Sequence, residues 1–147
     1  MTKRDKHYAV AYFAIVAAIM IVGIAIEIIG IDLPTGMSIY LPPMLAAMMT
    51  MQHPKYAADA PTLGRAKWRL ALRFTGIAII MQIIVTVLSI GVMTLAGSRV
   101  LLDLLQSFTP VIWVVAVVVM VLVVWLSNRA GISLAALVQN KMSGPKP

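Results

Sequence analysis

Glu27 is the one acid inside a long apolar stretch: Tyr8 to Ile26 is uninterrupted, and apolar character resumes after Glu27 through Ile31. An ionisable group in a membrane segment is costly and suggests proton exchange or cation binding by default. Glu27 nevertheless lies only about 7 Å of helix rise from Asp32, close to the end of its segment. Hydration at the interface, or pairing with Arg99, is therefore the preferred reading. Asp103 follows Arg99 at i+4, a spacing that brings opposite charges together on a helix. The bland expectation is an intrahelical ion pair, and the sharper one is an acidic cluster with Glu27 and Asp32. Glu27, Asp32, Arg99 and Asp103 together make up the candidate proton or ion site.

Gln82 lies near the middle of another apolar run. An amide there is expected to hydrogen-bond to a neighbouring helix rather than to a substrate. Met37, Met44, Met48, Met49 and Met51, with His53 adjacent, bring soft-metal binding to mind. Methionine is also adaptable packing material, and without a thiolate or a ligand spacing no metal site is assigned. The chain has no cysteine, so thiolate metal sites, haem attachment through CxxCH and S-acylation are excluded. It carries no nucleophile elbow, phosphate-binding glycine loop or HExxH, and the surroundings of Gly64 do not form a P-loop. The expectation is a protein that is not an enzyme, with no catalytic residues and no cofactor.

The elements that must position these residues are membrane segments. Of 147 residues, 61% are hydrophobic and 12% charged, and the mean hydropathy is +0.96. This composition lies outside the range of water-soluble domains. The net charge of +7 does not point to nucleic acid, because the basic residues cluster at the ends of apolar runs and form no continuous cationic face. Anionic lipid headgroups are the expected partner.

An all-α fold with four transmembrane helices follows, as one domain with spans at about 8–31, 37–53, 70–96 and 104–127. The first apolar run is longer than the roughly 7 to 15 residues of a signal sequence and does not end in an A-x-A cleavage pattern, so it reads as a retained anchor. Ala14 and Ala18 form a small-xxx-small pair that would allow a helix to approach closely. Asp32 to Gly36 is a turn. The second run, Met37 to Met51, is short and holds Pro42-Pro43. It is expected to span, with Ser38 to Leu41 as an irregular start and the prolines near the first turn.

A basic hinge at 52–69 follows, with Thr62 as the N-cap of the third segment and only half a capping box, since Arg65 stands where Glu or Gln would complete it. Arg65, Arg69 and Arg73 recur at i, i+4 and i+8 with Trp68 beside them, which predicts a lipid-headgroup stripe. Pro110 either kinks a long helix or opens a new one, with Thr109 as its cap. Trp113 and Trp125 would mark the two ends of the fourth span. In the cytoplasmic tail at 128–147, the weakly amphipathic segment Ile132 to Val138 precedes a polar end and is expected to lie on the membrane or to be disordered.

Eleven of the twelve Lys and Arg residues fall before the first span, in the hinge or after the last span, and Arg99 falls on the other side. By the positive-inside rule both termini and the hinge are cytoplasmic, giving two helical hairpins and no re-entry of the second segment.

The order of a glycine-containing turn, a short second span ending near LAAMM and an APTLGRAKWRLAL connector resembles an uncharacterised family of small four-span bacterial inner-membrane proteins. The family connector reads approximately R-x-P-T-x-x-E-x-x-R-L. Pro61, Thr62, Arg69 and Leu70 fit it loosely, Arg65 replaces the acid, and Tyr56 to Asp59 lack the upstream arginine. The resemblance covers Gly36 to Ala78 and implies location in the inner membrane without implying an activity. The expected role is that of a non-catalytic accessory or structural subunit working through helix and lipid contacts, as a homo-oligomer or in a larger membrane complex. The alternative is a small proton-coupled transporter using Glu27, an analogy at the level of fold to four-span multidrug carriers.

Overall fold

The computed structural model describes residues 1–30, 37–57, 64–95, 97, 103 and 106–142. Among them the chain is all-helical: α1 is Lys3–Ile28, α2 Met37–Gln52, α3 the single turn Pro54–Ala57, α4 Gly64–Leu95 and α5 Pro110–Met142. Three of these, α1, α4 and α5, are long and apolar enough to cross a membrane.

A full capping box sets the start of α1. The Thr2 Oγ1 accepts from the Asp5 N–H at 3.3 Å, and the Thr2 N–H donates to Asp5 Oδ2 at 2.6 Å. Two of the free donors at the helix start are thereby satisfied. The helix therefore takes in most of the basic leader. It also stops earlier than Ile31, at Ile28, where Gly30 turns left-handed with φ +81°. Only glycine adopts that conformation without strain, so Gly30 ends the helix before the expected turn.

In α2, Ser38 to Leu41 are helical, which corrects the expected irregular start. Pro42 and Pro43 fall inside the helix, lack the N–H groups that would bond to Ser38 and Ile39, and are fully buried. At 16 residues α2 is about 24 Å long, the shortest of the four long elements.

Pro110 opens α5 rather than kinking it, and the Thr109 carbonyl accepts from the Trp113 N–H at 3.2 Å. The valine-rich first half would make a poor helix in water. In hydrocarbon the backbone must satisfy its own hydrogen bonds, and a helix does so. The larger departure is at the other end, where α5 runs unbroken through Asn128 and Gly131 to Met142. As far as Met142 the segment expected to lie on the membrane or to be disordered is helix, with Ile132 and Ala135 in the core. Trp125 accordingly sits within the helix rather than at its end.

Side-chain pairings fix the helix directions. Asp5 meets Arg73 and Tyr12 meets Gln82, so α1 and α4 run the same way. His7 lies beside His53, while Val16 and Met20 lie near Pro42, so α2 runs opposite to α1. Gln139 bonds to the Met51 carbonyl and Gly131 abuts Met44, so α5 runs with α2.

The tightest crossing is between α2 and α5, where a Cβ added to Gly131 would stand 2.2 Å from the Met44 carbonyl oxygen and 3.0 Å from the Ala47 Cβ. Ala46, Ala47 and Met51 of α2 and Ile132 and Ala135 of α5 are buried in the core, which also takes in Tyr8, Tyr12, Leu70, Ala71 and Phe74. Small residues that let backbones approach are the usual means of holding helices together where lipid removes the hydrophobic incentive.

The core occupies one end of the bundle, the end that carries Asp5, Arg73 and Arg129. Toward the other end the helices part. Val111, Val114, Val92 and Leu95 are all more than 60% exposed, an apolar surface suited to lipid.

Candidate functional site

Helix α1 brings three polar side chains, one turn or so apart, onto the face that meets α4 and α5. Each is partnered across the bundle. Nearest the end, Asp5 is 1% exposed and accepts from an Arg73 amino group at 2.6 Å, while the arginine is half exposed. Asp5 therefore serves both the cap of its own helix and the junction with α4. Its second oxygen, Oδ1, is buried with no hydrogen-bond partner among the described residues.

One turn further, the Tyr8 hydroxyl donates to Asn128 Oδ1 at 2.7 Å. The Asn128 amide in turn donates to Thr75 Oγ1 at 3.2 Å, and Thr75 donates to the Ala71 carbonyl at 2.8 Å. This chain ties α1, α5 and α4 together, with Asn128 fully buried. The Tyr8 ring also stacks on Phe74, with centroids 4.2 Å apart and planes 9° from parallel. One further turn along, the Tyr12 hydroxyl donates to Gln82 Oε1 at 3.0 Å. The result is a polar ladder running from the charged end into the apolar bundle. In hydrocarbon an unpaired polar group is expensive, so such pairs give the helices a defined register.

A second group of contacts closes the charged end. The Arg129 guanidinium lies over the Trp68 ring at 3.7 Å from the centroid, and Trp68 also contacts Trp125 at 4.6 Å. His7, His53 and Tyr56 cluster where α1 meets the corner between α2 and α3, with the two imidazoles 4.7 Å apart. Lys3, Arg4, Lys6, Lys55, Arg65, Lys67, Arg69, Arg73 and Arg129 thus share one end of the molecule. Within the arginine stripe, Arg65 and Arg69 are exposed, Trp68 is half-buried against α5, and Arg73 turns toward Asp5.

The candidate proton or ion site is mostly beyond description. Glu27 belongs to the last turn of α1, but its side chain, like Asp32 and Arg99, lies outside the described residues. Asp103 is described, helical and exposed. Thr62 also falls outside the described residues. No group of three or more His, Cys, Asp or Glu side chains converges on a metal-sized site among the described residues.

Asp5, Tyr8 and Asn128 belong to the ladder but do not stand out in the sequence as site residues. Asp5 hides in a basic leader, and its signal was the T-x-x-D spacing that makes a capping box. Asn128 sits at the expected edge of the last span, where a polar residue is unremarkable, and Tyr8 resembles an interface aromatic.

No family model, curated protein or solved structure matches this chain.

Proposed function

We propose that the chain is a four-span protein of the bacterial inner membrane, with both termini and the 52–69 hinge cytoplasmic. It acts without catalysis as an accessory or structural subunit, through helix and lipid contacts. The observation that carries this reading is the ladder itself. The polar side chains in the bundle centre, Tyr8, Tyr12, Thr75, Gln82 and Asn128, are bonded to one another. They hold register, and the splayed, apolar opposite end is left for lipid or another membrane helix.

The topology is supported by nine Lys and Arg residues that gather at one end of the bundle, the pattern expected of a cytoplasmic face. His53 beside His7 favours α2 crossing rather than re-entering. Because α2 is only about 24 Å long against a hydrocarbon core of about 30 Å, local thinning of the bilayer accompanies it. Arg65 and Arg69 contact anionic headgroups.

The test is extraction of the protein with its surrounding lipid by a styrene–maleic acid copolymer. The reading expects co-purification with another membrane complex at fixed stoichiometry. Isolation of the chain by itself, together with a substrate-dependent proton flux lost in Glu27→Gln, would replace this reading with the proton-coupled carrier.

A further inference from the structure

Beyond the last rung of the ladder, α1, α2 and α4 leave a groove of about 270 Å³ between them. Its walls are apolar on the α1 and α2 sides, from Val16, Met20 and Pro42. On the α4 side Gln82, Thr86 and Ser89 line it, with the apolar Val85 and Ile90 beside them. Positions i, i+4 and i+7 share one helical face, so these three polar groups form a line about 10 Å long.

Their hydrogen-bonding capacity is largely unspent. Tyr12 occupies the Gln82 carbonyl oxygen, which leaves the amide –NH₂ to donate. The hydroxyls of Thr86 and Ser89 make no hydrogen bond among the described residues, whereas Thr75 and Thr94 on the same helix bond back to the carbonyl four residues earlier. Three donors along one edge and hydrocarbon opposite are complementary to an apolar molecule with oxygen acceptors along one side.

We propose that this groove binds a neutral lipophilic carbonyl compound dissolved in the bilayer, its oxygens toward Gln82, Thr86 and Ser89 and its hydrocarbon body against Val16 and Met20. Depth selects such a compound over the ester carbonyls of phospholipid. Along α1 the groove begins at Val16, about 16 Å beyond Asp5, and continues to Met20 at about 22 Å. Asp5 and Arg73 mark the charged boundary, and ester groups stay near that boundary. A subunit that works by association can hold such a molecule, so the inference stands independently of the accessory role.

The probe is benzophenone, a photoreactive diaryl ketone, applied to the purified protein in nanodiscs of ether-linked phospholipid and mapped by mass spectrometry of the digested chain. Saturable labelling concentrated on 82–90, where the ketone oxygen lies, is expected. The double variant Thr86→Val/Ser89→Ala should raise the half-saturating concentration about tenfold. Both hydroxyls lack partners among the described residues, so the variant should keep its helicity and melting temperature, which are measured alongside. Met20→Trp, which fills the groove from a half-exposed position, should abolish the saturable component.

Labelling that grows linearly with probe and spreads over lipid-facing positions such as Val114 would overturn the proposal. So would an unchanged half-saturation in the double variant. Loss of labelling on changing to ester-linked phospholipid would also overturn it, by giving the groove to lipid esters.

Discussion

Gly131→Ala puts the helix packing under the most direct strain. The added Cβ would stand 2.2 Å from the Met44 carbonyl oxygen, 3.0 Å from its carbon and 3.0 Å from the Ala47 Cβ. The first obstacle is main chain, so no side chain can swing aside. Ordinary contact begins at 3.4 Å, and α2 and α5 would have to part by about 1.2 Å in an interior that is otherwise close-packed. A gap of that order forfeits about a quarter to a half of the dispersion energy of atoms facing across it. Ala46, Ala47, Met51, Ile132 and Ala135 all belong to that core. Because lipid offers no hydrophobic gain on helix association, dispersion carries most of the contact.

Overpacking of this kind costs about 1–3 kcal/mol, and the rigid obstacle places Gly131→Ala near the upper end. The assay is reversible unfolding in mixed micelles followed by tryptophan fluorescence, with Trp68 against Trp125 as a nearby reporter. Gly76→Ala is the control. It lies within α4, a Cβ there meets nothing within 4 Å, and the change should leave stability equal or raise it by about 0.5–1 kcal/mol. The reasoning is refuted if Gly131→Ala unfolds like the parent protein, or if Gly76→Ala is the more damaging of the two.

Further outcomes are expected at the ladder and the charged end. Asn128→Leu should destabilise the bundle by about 1–2 kcal/mol, and a cycle with Tyr8→Phe should give a coupling of about 0.6–1.7 kcal/mol in the same unfolding assay. A cycle between Asp5→Asn and Arg73→Gln should show coupling of no more than about 1 kcal/mol, weakening with salt, because the arginine is half exposed. Trp68→Ala should cost about 1 kcal/mol from the Arg129 contact and shift the emission of Trp125. Replacing Arg65, Arg69 and Arg73 together with glutamine should reduce co-purifying anionic lipid, measured by lipid mass spectrometry, and weaken the orientation of the chain in the membrane.

The long apolar runs are legible in the sequence because backbone in hydrocarbon has few choices, and runs of this length have one main solution. The start of α5 is only half legible, since proline after threonine fits either a kink in a helix begun near 104 or a first helical position, and the helix beginning at Pro110 selects the second. Helix ends set by one residue's conformation are harder. Gly30 and Pro34 both stop helices, and only the left-handed backbone at Gly30 shows which acts first.

Asn128 illustrates what composition cannot reach. A hydropathy pattern places a polar residue after an apolar run at the membrane boundary, whereas its real position depends on how far α5 slides along α1 and α4. That register is decided by partners distant in sequence: Tyr8 for Asn128, and Met44 for Gly131. Gly131 carries no signal of its role in the sequence, and its small size permits the close crossing with Met44. Gln82 stands out because an amide within an apolar run must find a partner, but the sequence does not say that the partner is Tyr12.

The claim on which the whole arrangement rests is that α2, short and proline-containing, crosses the bilayer. The chain contains no cysteine, so single cysteines can be introduced at Gly36, before α2, and at Ala57, after it. The deciding measurement is their reaction with a membrane-impermeant maleimide, in right-side-out and in inverted membrane vesicles. The account predicts that Cys at position 36 reacts only in right-side-out vesicles and Cys at position 57 only in inverted ones. Reaction of both positions from the same side would contradict it.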